Sequence, residues 1–190
     1  MKIMGQNIEE MVRQKLEPKR FNHSKNVAKS AVQLANYYGV DEQKAYVCGI
    51  LHDVMKNASD DEQLKIIEIS GEKMTPLEKA NKKLWHAISG AGYIKTVLKI
   101  TDTEIISAVR CHTTAKANMT MLEKILYIAD YISEDRDFDG VEDMRKKAFS
   151  NIDEAVFEGT QFSIMELAKR HMPIHPNTVE AYNEMCAKLI

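Results

Sequence analysis

The chain has 190 residues, of which 44% are hydrophobic and 28% are charged, and its formal net charge is −2. This composition excludes a disordered chain and is typical of one folded domain, which we expect to span residues 1–190. A nearly neutral chain is unlike a protein that binds nucleic acid through bulk charge, so no nucleic-acid partner is expected. The longest apolar run, Ala45–Leu51, is far shorter than the roughly 20 residues that span a bilayer, so no membrane partner is expected either.

The N-terminal residues and the cysteines indicate the compartment. Residues 1–10 contain no apolar core of signal-peptide length. The three cysteines are far apart in the sequence and form no Cys-x-x-Cys pair, which favours reduced thiols over disulfides or a thiolate zinc site. We therefore expect a cytoplasmic protein.

Helical periodicity dominates the sequence. Between Phe21 and Gly39 the apolar residues recur at helical spacing, and glycine is typical of a helix end. No stretch alternates in the manner of a β-strand. The sequence therefore predicts an all-α, single-domain fold of about eight to ten helices, with an ordered loop at 133–141. Five Ser/Thr/Asn-x-x-Glu patterns predict helix starts: Ser59 with Glu62, Thr75 with Glu78, Thr101 with Glu104, Thr120 with Glu123, and Asn177 with Glu180.

Four polar residues stand in apolar helical surroundings. His23 is predicted to face the core, His52 and Asp53 end an apolar segment, and Asp130 lies within the apolar run 125–132. Burial of an imidazole or a carboxylate is unfavourable without a partner. Two imidazoles and two carboxylates suit a first-row divalent ion with open positions for water or substrate, and carboxylates favour iron or manganese over thiolate-bound zinc. The sequence therefore predicts a metal site made of these four residues, with one ion expected.

Further polar residues are predicted to surround the same site. His86 and His112 could reach the predicted metal site, either as ligands of a second ion or as contacts to phosphate. Asp53 has two oxygens and could bridge two ions. Lys56, about one helical turn after Asp53, could meet an anionic group beside the metal, and Arg136 is a second candidate anion contact.

The order His23…His52-Asp53…Asp130 resembles the HD-domain superfamily of metal-dependent phosphohydrolases. The His-Thr-Thr element and the Ile-His-Pro segment further resemble its YqeK-type branch, the bacterial symmetrical diadenosine tetraphosphatases. One departure is Ala115, where this family usually has a glycine that permits positive φ. The matching stretches cover nearly the whole chain in the expected order: Arg20–Ser24, Gly49–Lys56, Trp85–Ala87, Arg110–Thr114, Ile128–Ile132 and Ile174–Asn183.

The resemblance implies an all-helical HD fold, a metal commonly found to be iron, and hydrolysis of diadenosine tetraphosphate to two ADP. It implies a metal-binding core over about 20–135 and a nucleotide-holding helical segment over about 150–190. It assigns metal ligation to His23, His52, Asp53 and Asp130. It assigns substrate contacts to Arg20, Asp53, His86, His112, Thr113, Arg136, Pro173, Ile174, His175, Pro176, Asn177 and Thr178.

The resulting hypothesis is hydrolysis of a phosphoanhydride by a metal-activated water. Asp53 would accept the proton of this water, while Lys56, His86 and His112 would offset charge on the polyphosphate. These four are the predicted catalytic residues. The expected partner is a dinucleoside polyphosphate or a nucleoside diphosphate, and a homodimer is left open. Alternatives are another HD nucleotide phosphohydrolase (a nucleoside monophosphatase or a cyclic-dinucleotide phosphodiesterase) and a non-catalytic nucleotide-sensing module.

Overall fold

The computed structural model of the protein describes residues 8–189. This part of the chain contains eleven α-helices, a 3-10 turn at Lys82–Leu84 and no strand, so the predicted all-α class is confirmed. The prediction of about eight to ten helices was slightly too low, because helices as short as Ile8–Lys15 and Val141–Ala148, of eight residues each, hold little periodic pattern. The helices are α1 (Ile8–Lys15), α2 (Pro18–Tyr38), α3 (Glu42–Leu51), α4 (Asp60–Ser70), α5 (Pro76–Ala80), α6 (Trp85–Thr96), α7 (Thr103–Cys111), α8 (Met121–Ile132), α9 (Val141–Ala148), α10 (Ile152–Lys169) and α11 (Pro176–Leu189).

Three of the five predicted helix starts are confirmed. The hydroxyl groups of Thr75 and Thr120 each accept a hydrogen bond from the backbone N–H of the glutamate three residues on, and that glutamate binds the threonine N–H in return. The Ser59 hydroxyl accepts from the N–H three residues on. The predicted helix end at Gly39 is also confirmed. Helix α4 likewise ends at a glycine, Gly71, and both glycines adopt left-handed φ, at 69° and 73°.

The other two predicted helix starts were wrong. The cap of α7 is Asp102 and not Thr101, because the Asp102 carboxylate accepts from two of the first free backbone N–H groups. Helix α11 begins at Pro176, before Asn177, and the Nδ1 of His175 accepts from the Asn177 N–H at 3.1 Å. In both cases a neighbouring side chain reaches the free amides of the first turn, and a sequence pattern alone does not decide between such neighbours.

One large hydrophobic core is built around α8. Helix α8 packs against α2, α3, α7 and α10, and α2 also packs along α3. Each core side chain that is fully buried stabilises the fold by about 1.5–3 kcal/mol. This packing brings the C-terminal end of α3 next to both α2 and the C-terminal end of α7. Fully buried members of the core include Leu34, Ile50, Leu51, Ile125, Leu126 and Ile128.

Gly49 allows α2 and α3 to approach each other closely. A Cβ atom at this position would lie 2.4 Å from the Cα of Ala28 and 2.7 Å from its backbone N, so backbone atoms block it. We expect Gly49→Ala to lower the free energy of unfolding by about 3 kcal/mol, because relief of the clash requires two packed helices to separate. Urea denaturation followed by circular dichroism measures this loss.

Gly90→Ala is the matched control for this substitution. Its added Cβ would have the Cγ1 of Val109 as nearest neighbour, at 3.3 Å, and that side chain has more freedom to adjust than a backbone. A loss for Gly49→Ala no larger than the loss for Gly90→Ala would contradict the expected tight contact between α2 and α3.

The cysteines and the helix lengths bear on two of the expectations from composition. All three cysteines are free, and Cys48 and Cys111 are buried. Burial raises the pKa of the Cys111 thiol to about 12, so this thiol stays protonated at neutral pH. Within residues 8–189 no helix is long and apolar enough to cross a membrane.

Candidate metal centre

The predicted metal ligands come from three helices and lie close together. His23 stands in the second turn of α2, His52 ends α3 with Asp53 directly after it, and Asp130 lies in the last turn of α8. The rings of His23 and His52 are 5.3 Å apart. His23, His52 and Asp53 are buried, and the Asp130 side chain is 20% exposed. The packing of α2, α3 and α8 thus unites residues that are up to 107 positions apart in the sequence.

Hydrogen bonds at Nδ1 fix the orientation of three of the histidines. The Nδ1 of His52 lies 2.7 Å from the carbonyl oxygen of Gly49, and the Nδ1 of His112 lies 2.7 Å from that of Val109. The Nδ1 of His23 lies 2.8 Å from a carboxylate oxygen of Asp135. Because these oxygens only accept, each Nδ1 carries the proton, and in the neutral ring Nε2 keeps its lone pair.

These Nε2 atoms face carboxylate oxygens inside the protein. The Nε2 of His23 is 3.0 Å from the Oδ1 of Asp130, and the Nε2 of His52 is 3.5 Å from the Oδ2 of Asp53. Both Nε2 atoms and the Oδ1 of Asp53 are buried without a hydrogen bond. Lone pairs that face each other in a buried site are unfavourable unless a cation lies between them. The donor set therefore fits a divalent metal ion bound by nitrogen and oxygen.

The candidate ligands form two overlapping groups that share His52. The first group is His23, His52 and Asp130, and the second is His52, Asp53 and His112; within each group the ligand atoms lie within 4.8 Å of one another. Of the two histidines that the sequence offered as ligands of a second ion or as phosphate contacts, His112 thus belongs to one of these ligand groups and His86 to neither. Asp53 is a member of the second group only, and its Oδ2 lies 3.5 Å from the Nε2 of the shared His52.

A second set of polar side chains surrounds Asp53. Its Oδ1 lies 3.2 Å from the Nε2 of His86, 3.6 Å from the Nε2 of His112 and 3.9 Å from the Nζ of Lys56. Burial alone would raise the pKa of the Asp53 carboxyl, but its electrostatic interaction with His52 and its contacts with His112 and His86 lower it well below its usual range. Burial lowers the pKa of His86 to about 4, so its ring is neutral at neutral pH.

Two predicted phosphate contacts, Arg20 and Arg136, pair with the candidate ligands. The Nη1 of Arg20 donates to the Oδ2 of Asp53 at 2.9 Å. Arg136 donates through Nε to the backbone oxygen of Asp130 at 2.8 Å and through Nη2 to its carboxylate. Burial alone would raise the pKa of Asp130, but contact with His23 and nearby positive charge lower it below its usual range. Both arginines therefore stabilise the ionised carboxylates, and both remain more than one third exposed.

Two adjoining cavities extend from this cluster. One, of about 270 Å³, is lined by His112, Asp130 and Arg136 among others. The second, of about 290 Å³, reaches the C-terminal segment. Thr113 and Phe162 line both cavities, so the two are neighbours. A larger cavity of about 470 Å³ between α2 and α9 contains none of the predicted site residues.

The predicted nucleotide-holding segment lies in part against the second cavity. Pro173, His175 and Thr178 line it, whereas Ile174, Pro176 and Asn177 do not. The Thr178 hydroxyl donates to the backbone oxygen of Thr114 at 2.8 Å, which ties the start of α11 to the His-Thr-Thr element. The segment is therefore joined to the metal cluster through residues 112–114.

Ala115 has the backbone conformation that the family's glycine would permit. Its φ is +54°, and its N–H donates to the backbone oxygen of Cys111 at 2.8 Å. An alanine in this left-handed region is less favourable than a glycine, but the turn after α7 is retained. The departure from the family pattern therefore leaves this part of the backbone in place.

Two acidic residues near the site were missed by sequence analysis. Asp135 contacts the Nδ1 of His23. The acidic stretch directly after α8 was the one sequence signal for a carboxylate near the site. Glu78 accepts from the Nη2 of Arg110 at 2.7 Å and lies 3.5 Å from the Nε2 of His175. The sequence had assigned Glu78 to a capping box alone, and no local pattern indicates its second contact.

The helical fold and the His/Asp cluster together define a protein of the HD class. The family model described as "HD domain" matches residues 20–135, and the chain belongs to this family. A solved structure from Clostridium acetobutylicum, described as a predicted HD superfamily hydrolase involved in NAD metabolism, superposes with a TM-score of 0.91 at 33% identity. The match covers 95% of this chain and 96% of the other.

Curated relatives narrow the family further. The protein named symmetrical bis(5'-nucleosyl)-tetraphosphatase of Bacillus subtilis is 36% identical, over 90% of this chain and 92% of its own length. Proteins of the same name from Halalkalibacterium halodurans and Staphylococcus aureus are 35% and 30% identical, over 93% and 91% of this chain and 94% and 90% of their own lengths. Within the HD domain proteins, the chain belongs to the family of these symmetrical tetraphosphatases.

Proposed function

We propose that this protein hydrolyses diadenosine tetraphosphate symmetrically to two ADP. The observation that carries the proposal is the buried cluster of unpaired imidazole nitrogens and carboxylate oxygens, in a chain whose relatives carry the name symmetrical bis(5'-nucleosyl)-tetraphosphatase over nearly their full length. Buried lone pairs without partners are costly, so this cluster indicates a site for chemistry more than a structural contact.

In this proposal His23, His52, Asp53 and Asp130 hold one divalent ion, and the ion is iron. Mixed imidazole and carboxylate ligands suit iron and manganese, and no cysteine thiol lies in either ligand group among the described residues. When bound, such an ion polarises a phosphoryl oxygen and lowers the pKa of a bound water. The second ligand group, with His112, offers a place for a second ion.

The side chains around the ion handle the proton and the charge. The Oδ1 of Asp53, buried and without a hydrogen bond, accepts the proton of the attacking water. The water oxygen bonds to the second phosphorus from one adenosine, and the bond from that phosphorus to the central bridging oxygen breaks, so that both products are ADP. Lys56, with Arg20 and Arg136 at the mouth of the site, offsets the negative charge of the polyphosphate.

The two adjoining cavities account for symmetrical cleavage. We place one nucleoside in the cavity lined by Pro173, His175 and Thr178, and the reacting phosphate beside His112 in the other cavity. Thr113 lies at the junction of the two. The separation between the nucleoside and the metal then selects which phosphate is attacked, because an anchored substrate presents one bond to the reacting groups.

Product analysis tests the proposal. Purified protein is incubated with diadenosine tetraphosphate and Fe²⁺ without oxygen, or with Mn²⁺, in water enriched in ¹⁸O, and the products are separated by chromatography. We expect ADP as the sole nucleotide product, with one ¹⁸O atom per substrate molecule. Metal analysis of protein purified without chelator identifies the resident ion.

Other products would support a different HD activity. ATP with AMP would contradict symmetrical cleavage. Release of adenosine from AMP would favour a nucleoside monophosphatase, and linear products from a cyclic dinucleotide would favour a phosphodiesterase. Nucleotide binding without turnover at saturating metal would favour the sensing module.

A further inference from the structure

His23 is held from outside the metal cluster by a carboxylate on the loop after α8. Its Nδ1 lies 2.8 Å from the Oδ2 of Asp135. The other carboxylate oxygen, Oδ1, accepts from the Nδ2 of Asn26 at 3.1 Å. Asn26 stands three residues after His23 on α2, so α2 groups occupy both oxygens of Asp135.

The other two anchored histidines do not need such a partner. His52 and His112 each end a helix, and each Nδ1 donates to a carbonyl oxygen three residues earlier in its own helix. His23 lies inside α2, where the preceding carbonyl oxygens are used by the helix itself. The ring of His23 instead places its Nδ1 proton on an acceptor from another segment, the carboxylate of Asp135.

The loop that carries Asp135 is itself tied down by Arg145 of α9. Arg145 donates through Nε to the backbone oxygen of Ile132 and through Nη2 to those of Ser133 and Arg136, each at 3.0 Å. These bonds satisfy carbonyl groups at the end of α8 and on both sides of Asp135. The side chain of Asp135 is 37% exposed, yet its backbone is fixed on both sides.

We propose that Asp135 is a positioning residue for the metal site. It holds the Nδ1 proton of His23, orients the ring so that Nε2 points at the ion shared with His52 and Asp130, and raises the basicity of Nε2. A carboxylate behind a metal-binding histidine typically changes metal affinity by about 10–100-fold. The inference rests on the metal ligands given under the proposed function and adds a residue outside that set.

Manganese affinity measures this role directly. The electron paramagnetic resonance signal of free Mn²⁺ is followed while metal-free protein is titrated with MnCl₂. We expect Asp135→Ala to raise the Kd for Mn²⁺ by about 10–100-fold. Asp135→Asn keeps one neutral acceptor for the Nδ1 proton and should give a smaller increase. Saturating Mn²⁺ should restore most of the kcat of Asp135→Ala.

Two further variants separate the possible failures. Glu134→Ala is the matched control, because Glu134 lies on the same loop and pairs with the exposed Lys29. A Kd for Asp135→Ala within twofold of the Glu134→Ala value would overturn the positioning role. Asp130→Ala tests the ligand set: unchanged Mn²⁺ binding in that variant would refute the proposed metal site, and with it this inference. Thermal unfolding in chelator checks that Asp135→Ala and Glu134→Ala are equally stable without metal. An equal increase of the Kd for Mn²⁺ in both variants would also overturn the proposal.

Discussion

Replacement of Asp53 by alanine is expected to lower kcat for the tetraphosphate by at least about 10³-fold and to abolish metal retention. Asp53 lies within 4 Å of five polar side chains of the proposed reaction centre: His52 and Arg20 on one oxygen, and His86, His112 and Lys56 on the other. Alanine removes a candidate metal ligand and the proposed proton acceptor together. The loss should therefore exceed that of any single substitution at the edge of the site.

The measurement is paired: steady-state release of ADP, and metal content after gel filtration without chelator. Asp53→Asn keeps the shape of the side chain but weakens it as a base, so it should retain the fold and lose most of the activity. Asp61→Ala is the control, because Asp61 is an exposed carboxylate on α4. Full activity of Asp53→Ala at any metal concentration would refute the assignment of Asp53.

The sequence was informative where a polar residue stood out against a helical apolar pattern. His23 and Asp130 lie on helices whose other core-facing residues are mostly apolar, and His52 with Asp53 follows the apolar part of α3 at Ala45–Leu51. Burial of such residues is costly enough that their position in the pattern already indicates a shared ligand. The helical class followed from the same periodicity, because it depends on local spacing alone.

The residues that sequence analysis missed depend on contacts between distant segments. Asp135 reaches His23 across 112 positions, and Glu78 reaches Arg110 across 32. The local sequence explains each carboxylate without these contacts, Asp135 as an acidic loop residue and Glu78 as part of a helix cap. What else they contact depends on how distant segments meet: α8 packs against α2, and Glu78 reaches the side chains of Arg110 and His175. The cap of α7 was also missed, although it depends on adjacent residues. Neighbouring side chains compete for the same free amides, and Asp102 binds them instead of Thr101.

Replacement of Lys56 by methionine is expected to lower kcat by about 10²-fold or more while the metal content stays unchanged. The Nζ of Lys56 lies 3.1 Å from the Nε2 of His86 and 3.9 Å from the Oδ1 of Asp53, so it stands beside the candidate ligands without being one. Burial lowers the pKa of its ammonium group, opposed by the negative charge of Asp53. A cation in such a partly dry site stabilises developing phosphate charge more strongly than one in water.

Methionine matches the length of lysine and removes only the charge, so the readouts separate Lys56 from Asp53. The Asp53 variants should lose metal and activity together, whereas Lys56→Met should keep its metal and lose activity. Lys56→Arg should recover part of kcat, because it returns a positive charge on a bulkier group. Lys65→Met, at an exposed lysine on α4, controls for the general loss of one positive charge. A kcat of Lys56→Met equal to that of Lys65→Met would exclude Lys56 from the reaction, and the offset of polyphosphate charge would then fall to Arg20 and Arg136.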